Sequence, residues 1–210
     1  MVKRMSGRDR EIVLASNNRG KLAELTAQLA PYRVTLHPLA RFIQASPDET
    51  GTTFRDNALL KARHAAGAAR LPAIADDSGL VVDALGGAPG VHSARYAGSN
   101  ASDAANNQKL LAAMKSVPDD LRSARFCCVL AYVRAADDAE PMFAEACWEG
   151  RILDRPRGTQ GFGYDPLFLP RGSDLTSAEM SPTEKNRLSH RAQALQMLVR
   201  FLVERGELDS

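Results

Sequence analysis

The chain has 210 residues, 44% of them hydrophobic and 25% charged, a balance that suits a soluble globular protein with a sizeable core. Its 27 basic and 25 acidic residues leave a formal net charge of +2, which gives no general argument for stable nucleic-acid or membrane binding, so any anion site must be local. The three cysteines, Cys127, Cys128 and Cys147, lack zinc-ligand spacing and are odd in number, so they read as core residues in a reducing compartment and not as a disulfide framework.

Residues 1–10, MVKRMSGRDR, are polar and basic without an apolar stretch and read as a flexible tail. No apolar run approaches the roughly 20 residues that cross a bilayer. Ile12 to Ala15 is a short apolar run that predicts a buried strand. Ser16-Asn17-Asn18-Arg19-Gly20-Lys21 follows, and Leu22, Leu25 and Leu29 then recur at helical spacing until Pro31. Strand, polar loop and helix are the geometry in which backbone N–H groups receive a phosphate. Lys21 at a helix start opposes the helix dipole and makes better sense facing an anion. The loop is not a Walker A motif, because Ala15 and Leu22 stand where Gly and Ser or Thr belong.

Val34 and Leu36 alternate with polar neighbours and predict a second strand. The loop QASPDETG, 44–51, carries Asp48 and Glu49. Thr53 and Asp56 form a capping pattern for a helix whose Phe54, Ala58, Ala62, Ala65 and Ala69 share one face, with Lys61 and Arg63 off that stripe. Leu71 to Ala75 then ends on Asp76 and Asp77. Ser78-Gly79 reads as a turn, and a second apolar run, Leu80 to Leu85, leads into a glycine-rich loop and on to Arg95 and Tyr96. Paired acids at a strand end suit a divalent metal such as Mg²⁺, and the loop with its arginine suits a phosphate. The plainer reading is a polar hairpin turn.

Ser102 or Asp103 can cap a helix with Leu110, Leu111 and Met114 facing inward, and Pro118 marks its end. Residues 124–135 and 142–148 are β-prone runs joined by the polar DDAEP, which predicts antiparallel neighbours with Trp148 in a core or an interface. Residues 154–168 form a loop rich in Gly and Pro. Within it, Phe162-Gly163-Tyr164-Asp165 offers rings on which a base could stack and a carboxylate to bond it. Ser181, Pro182 and Glu184 open a last helix whose predicted buried stripe is Leu188, Ala192, Leu195, Val199 and Leu202. Lys185, His190 and Arg191 fall off that stripe near the helix start, which favours anion contact. The order of elements reads as mixed α/β with an antiparallel hairpin in the second half.

Taken in order, Ser16-Asn17-Asn18-x-x-Lys21, Glu49-Thr50-Gly51-x-Thr53-Phe54, Asp76-Asp77-Ser78-Gly79-Leu80, Leu85-Gly86-Gly87-x-Pro89-Gly90, Phe162-Gly163-Tyr164-Asp165-Pro166 and Ser189-His190-Arg191 resemble the inosine triphosphate pyrophosphatase family, most closely its bacterial RdgB-like members, from about Ile12 to Phe201. The resemblance implies an elongated mixed β-sheet flanked by helices, with two lobes around a substrate cleft in one domain, 11–205. It implies hydrolysis of ITP, dITP and XTP to the monophosphate and pyrophosphate, which removes them from the nucleotide pool before they enter DNA or RNA. It further implies Mg²⁺ dependence, a homodimer and a cytoplasmic location. By position, Ser16 to Lys21 would hold the triphosphate. Asp77 would be metal ligand and proton acceptor, with Asp76 the alternative acceptor. Asp48 or Glu49 would be the second acidic ligand. Lys61, Ser78, Phe162 to Asp165, Lys185, His190 and Arg191 would complete the nucleotide contacts.

Successive strand residues point to opposite faces, so Asp76 and Asp77 should not serve equally unless the strand ends between them. Lys21 and Lys185 would neutralise developing charge. Arg191 donating to a 6-oxo group and Asp165 accepting from N1–H would reject adenine. The competing readings are a Maf-like pyrophosphatase acting on other nucleotides and a non-catalytic nucleotide-binding protein.

Overall fold

A computed structural model describes residues 10–16, 18–44, 47 and 49–209, and of Arg19 the backbone only. Asn17, Asp48 and residues 1–9 of the predicted tail lie outside the described residues, as does the Arg19 side chain. Arg10 opens the first strand and Leu208 is buried.

One six-stranded mixed sheet carries the fold, in the order β2-β1-β3-β4-β5-β6. Strands β1 (Arg10–Leu14), β2 (Val34–Pro38) and β3 (Ala73–Val82) run parallel. Strands β4 (Ser123–Val133), β5 (Met142–Ile152) and β6 (Phe168–Pro170) continue from β3 as antiparallel neighbours. Helices α1 (Arg19–Leu29), α2 (Phe54–Ala69), α3 (Asp103–Ala113), α4 (Pro182–Leu188) and α5 (His190–Glu204) flank it.

Side-chain alternation along the sheet divides the core. Ile74, Cys128 and Leu130 pack with Leu25, Leu29, Leu195, Leu198 and Leu202 from α1 and α5. Ala73, Ala75, Val129 and Ala131 face the alanines of α2, Ala58, Ala62, Ala65 and Ala66, whose small size brings the helix close to the strands. Leu80, Val82, Phe126, Trp148 and Phe168 form a third cluster with Leu110 of α3 and Met114 just beyond its end.

Three expectations are corrected. Ser78-Gly79 is not a turn, because β3 runs unbroken from Ala73 to Val82 and pairs residue for residue with β4. Its polar side chains find partners within the fold, so the backbone has no need to leave the sheet. Gly79 is required there for room: a Cβ would lie 2.4 Å from the Gly90 carbonyl oxygen and 2.5 Å from Ser93 Oγ.

The predicted last helix is two helices. Ser181 forms the predicted capping box with Glu184, but Ser189 ends α4 and caps α5, its hydroxyl accepting from the Ala192 N–H. Leu188 is consequently 39% exposed and leaves the stripe, which begins at Ala192.

Of the cysteines only Cys128 is a free core residue. Cys127 and Cys147 project from the other face, directly opposite one another on β4 and β5, and are joined as a disulfide. Adjacent strand residues cannot share a face, and the register that pairs positions 127 and 147 is set by tertiary structure.

Candidate active site

Strand β3 places its two carboxylates back to back. Asp76 projects among α1 and the start of α5, and its side chain is fully enclosed. It accepts from Arg191 Nε at 2.6 Å, Ser78 Oγ at 2.5 Å, Cys128 Sγ at 3.5 Å and Lys21 Nζ. Burial alone would raise its pKa, but Arg191 and Lys21 outweigh that and hold the carboxyl well below the usual range. Asp76 is therefore committed as an ion, bonded to two cations, and its geometry is that of an anchor more than of a proton acceptor.

Asp77 projects to the α2 face. Lys61 donates to its Oδ1 at 2.5 Å and to Glu49 Oε1 at 3.1 Å, and Arg95 donates to Glu49 Oε2 at 2.5 Å. Lys61 is buried and not on a solvated face as its position off the alanine stripe predicts. Arg95, which the sequence pairs with a phosphate, here holds a carboxylate. Burial raises the pKa of Asp77 against the pull of Lys61, and Glu49 raises it further. Burial also works against ionised Glu49, but Lys61 and Arg95 prevail and lower its pKa. Asp77 Oδ2 is buried and accepts no hydrogen bond from a described residue.

Two carboxylates sharing one lysine, with one buried oxygen unpartnered, fit Mg²⁺, which needs one or two protein carboxylates and takes its other ligands from water and phosphate. Among the described residues no group of three or more His, Cys, Asp or Glu is placed to cage a metal. Asp77 and Glu49 are the residues that would hold one.

The α1 side gathers the remaining candidates. Asn18 Oδ1 caps α1 by accepting from the Lys21 N–H at 3.1 Å, and the Asn18 N–H donates to Ser16 Oγ at 3.1 Å. Gly20 admits the Phe162 ring, since a Cβ there would come within 2.7 Å of it. The ring lies 4.7 Å from Lys185 Nζ and 5.6 Å from the Arg191 guanidinium carbon. Tyr164 is buried and donates to the Ser93 carbonyl at 2.8 Å, so of the two aromatics only Phe162 is placed to stack on a base. Gly163 is tethered to α3: its N–H donates to Asp103 Oδ2 at 2.6 Å, and its carbonyl accepts from Asn107 Nδ2 at 2.8 Å.

Asp165 accepts from Lys185 Nζ at 2.6 Å, Ser177 Oγ at 2.8 Å and the Phe162 N–H at 2.9 Å. A carboxylate offers about four acceptor sites, so one remains. His190 is buried and stacked on Phe126, with ring centroids 4.9 Å apart and planes 9° from parallel. Burial, then Arg191, depresses its pKa well below the ordinary value, so the ring is neutral, and its Nδ1 is unpartnered. Lys185, His190 and Arg191 are all buried, unlike the surface positions that lone basic residues on a helix usually take.

A cavity of about 130 Å³ is lined by Lys21, Ser78, Phe162, Asp165, Lys185, His190 and Arg191. A wider groove of about 470 Å³ lies outside the Phe162 loop, against α3, and none of the site cations lines it. The sequence reading missed Glu24. Its Oε2 accepts from Arg191 Nη1, and its Oε1 lies 3.4 Å from Lys185 Nζ. The available signal was its place three residues after Lys21, on the same helical face.

Such a site defines a class: α/β proteins in which one sheet strand carries two adjacent buried acids, one paired with Lys61 and the other with Lys21 and with an Arg191 that lies beside an aromatic ring. The match to the model of the Ham1 family covers residues 12–201, and the chain belongs to that family. It is 58% identical over 188 residues to a dITP/XTP pyrophosphatase of Pseudomonas aeruginosa, covering 90% of this chain and 94% of that protein. Identity to the dITP/XTP pyrophosphatase of Pseudomonas syringae is 56% over 188 residues, with the same coverage of both chains. The solved HAM1 protein of Coxiella burnetii superposes with a TM-score of 0.86 at 49% identity, covering 93% of this chain and 99% of that one.

Proposed function

We propose that this protein hydrolyses non-standard purine nucleoside triphosphates, dITP, XTP and ITP, to the monophosphate and pyrophosphate, with Mg²⁺ as cofactor, and so keeps them out of DNA and RNA. The observation that carries the reading is the pair of adjacent acids on β3, which gathers an ionic cluster on each face: Asp77 and Glu49 with Lys61 and Arg95 on one, and Asp76, Asp165 and Glu24 with Lys21, Lys185 and Arg191 on the other. The identity to dITP/XTP pyrophosphatases supports the substrate class.

Phosphoryl transfer depends mostly on positioning and charge neutralisation. Asp77 and Glu49 would hold Mg²⁺, which would supply charge neutralisation and a more acidic water. Asp77 would take a proton from the attacking water, a role that the lack of a described partner on its buried Oδ2 supports. Lys21 and Lys185 balance the negative charge of the leaving pyrophosphate. Lys61 donates to both Asp77 and Glu49 and holds the two carboxylates together.

On the base, Phe162 stacks, Arg191 donates to the 6-oxo group and the open acceptor site of Asp165 takes the N1–H. Adenine presents the opposite pattern and leaves both groups unpaired, and sites of that kind discriminate by about 10⁴ or more. The likeness to a family of typically dimeric enzymes supports a homodimer, and the nucleotide substrate supports a cytoplasmic location.

The test is pyrophosphate release from ITP, XTP, GTP and ATP, each with Mg²⁺ and with EDTA. Mg²⁺-dependent turnover of ITP and XTP far above GTP and ATP is expected. Preference for another nucleotide would overturn the roles of Asp165 and Arg191. No turnover by folded protein would leave a nucleotide-binding protein.

A further inference from the structure

The groups assigned to the base and those assigned to the phosphates come from different parts of the chain. Arg191 opens α5, Lys185 sits in α4, Asp165 lies in a loop and Lys21 starts α1. One further side chain joins them. Glu24 is on α1, three residues beyond Lys21, and its two oxygens divide between Arg191 and Lys185.

The Arg191 guanidinium is thereby held at two points. Asp76 accepts from Nε and Glu24 from Nη1, while Nη2 donates to no described residue. Two carboxylates on two of the three nitrogens fix the plane of the group and leave the third edge beside the cavity that Arg191 lines. Lys185 is shared in the same way. Asp165 binds its Nζ at 2.6 Å, and Glu24 lies on its other side at 3.4 Å. Glu24 therefore touches both partners on which base reading depends, Arg191 directly and Asp165 through Lys185. The Glu24 side chain is 14% exposed and does not line the cavity, so it acts from behind the cations and does not meet the base.

We propose that Glu24 is a positioning residue for base specificity: it orients Arg191 and Lys185 from the helix that also carries the phosphate-facing Lys21. This rests on the base-reading roles given above to Arg191 and Asp165. Without the Glu24 charge the guanidinium keeps only the Asp76 contact and can swing about it. The donor that meets a 6-oxo group is then no longer aimed, and the penalty for adenine falls. A loss of orientation of this kind costs about ten-fold or more.

The experiment compares kcat/KM for ITP and for ATP in the full-length wild type, Glu24→Gln, Arg191→Lys and the double variant, all with Mg²⁺. Glu24→Gln is expected to lower the ITP-to-ATP ratio by about ten-fold, with no further loss when added to Arg191→Lys. A merely structural role for Glu24 lowers both nucleotides in parallel and leaves the ratio unchanged, and that result overturns the proposal. Equal losses in the Arg191→Lys and wild-type backgrounds also overturn it, since Glu24 would then not act through Arg191. If Glu24→Gln does not fold, Glu24→Asp, which draws the carboxylate back by one methylene, carries the same expectation. A wild type that turns over ITP and ATP alike removes the base-reading roles and the role of Glu24 with them. It is distinguished from failure of Glu24 alone because it shows before any substitution is made.

Discussion

Replacing Asp76 with Asn removes a charge and almost no volume. The side chain is fully enclosed, and its partners differ in their alternatives. Arg191, 2% exposed, keeps Glu24, while Lys21 at 16% can turn partly to water. Removing one member of a buried ion pair costs about 3–5 kcal/mol, and these two escapes place Asp76→Asn near the lower end, at about 3 kcal/mol. For a chain of this size that lowers Tm by roughly 6–12 °C. The loss must also depend on pH in one direction. Arg191 and Lys21 hold the Asp76 carboxyl well below its ordinary 3.8, so folding favours the ionised form. Its contribution is complete above that ordinary value and disappears as pH falls through the folded-state value. Urea unfolding of both proteins at pH 7, 4, 3 and 2.5 reads the gap between them. A gap near 3 kcal/mol at pH 7 that narrows only below about pH 4 is expected. A gap that is the same at every pH would mean that shape and not charge was lost, and would refute the reasoning.

Asp77→Asn should fold with a melting temperature near that of the wild type yet lose about 10²–10⁴-fold in kcat, the usual contribution of a positioned general base; a variant with substantial Mg²⁺-dependent turnover would exclude the role given to Asp77. Gly79→Ala forces a methyl against the Gly90 carbonyl and Ser93, and should cost about 1–3 kcal/mol in denaturant unfolding. A wild-type midpoint would show that the backbone at Gly90 and the Ser93 side chain yield without strain. Ser189→Ala removes the hydroxyl that caps α5 and should cost about 1 kcal/mol by thermal melting. An unchanged Tm would mean that α5 starts without help from its cap.

The parts of the fold that were legible in the sequence are those fixed by neighbours in the chain. Ile12 to Leu29 reads as strand, loop and helix because apolar run, polar loop and leucine spacing follow directly on one another. The Thr53 and Ser181 caps are equally local, each hydroxyl meeting the backbone three residues on. Residues 76–79 misled because Asp-Asp-Ser-Gly has the composition of a turn, while its strand conformation depends on β4 and on cations supplied by residues 21, 61 and 191. Lys61 looked like a surface charge for the same reason: it is buried only because carboxylates from other elements meet it. Glu24 escaped notice because an acid on a helix ordinarily faces water. The contact between Cys127 and Cys147 depends on register, which the polar connection between the two strands does not specify.

The alternation of β3 makes the site sensitive to parity. Asp76 and Asp77 are neighbours along the backbone, yet one meets Lys21 and Arg191 and the other, across the sheet, meets Lys61. A slip of β3 by one residue against β4 would present each acid to the other's partners. A slip of two would restore the faces but carry both acids about 7 Å along the strand, away from Lys21 and Lys61. Insertions and deletions between Leu71 and Gly79 are therefore barred in both odd and even steps, whereas substitutions that keep the count are not. The spacing between the two halves of the chemistry is a property of the backbone, and it has one permitted value.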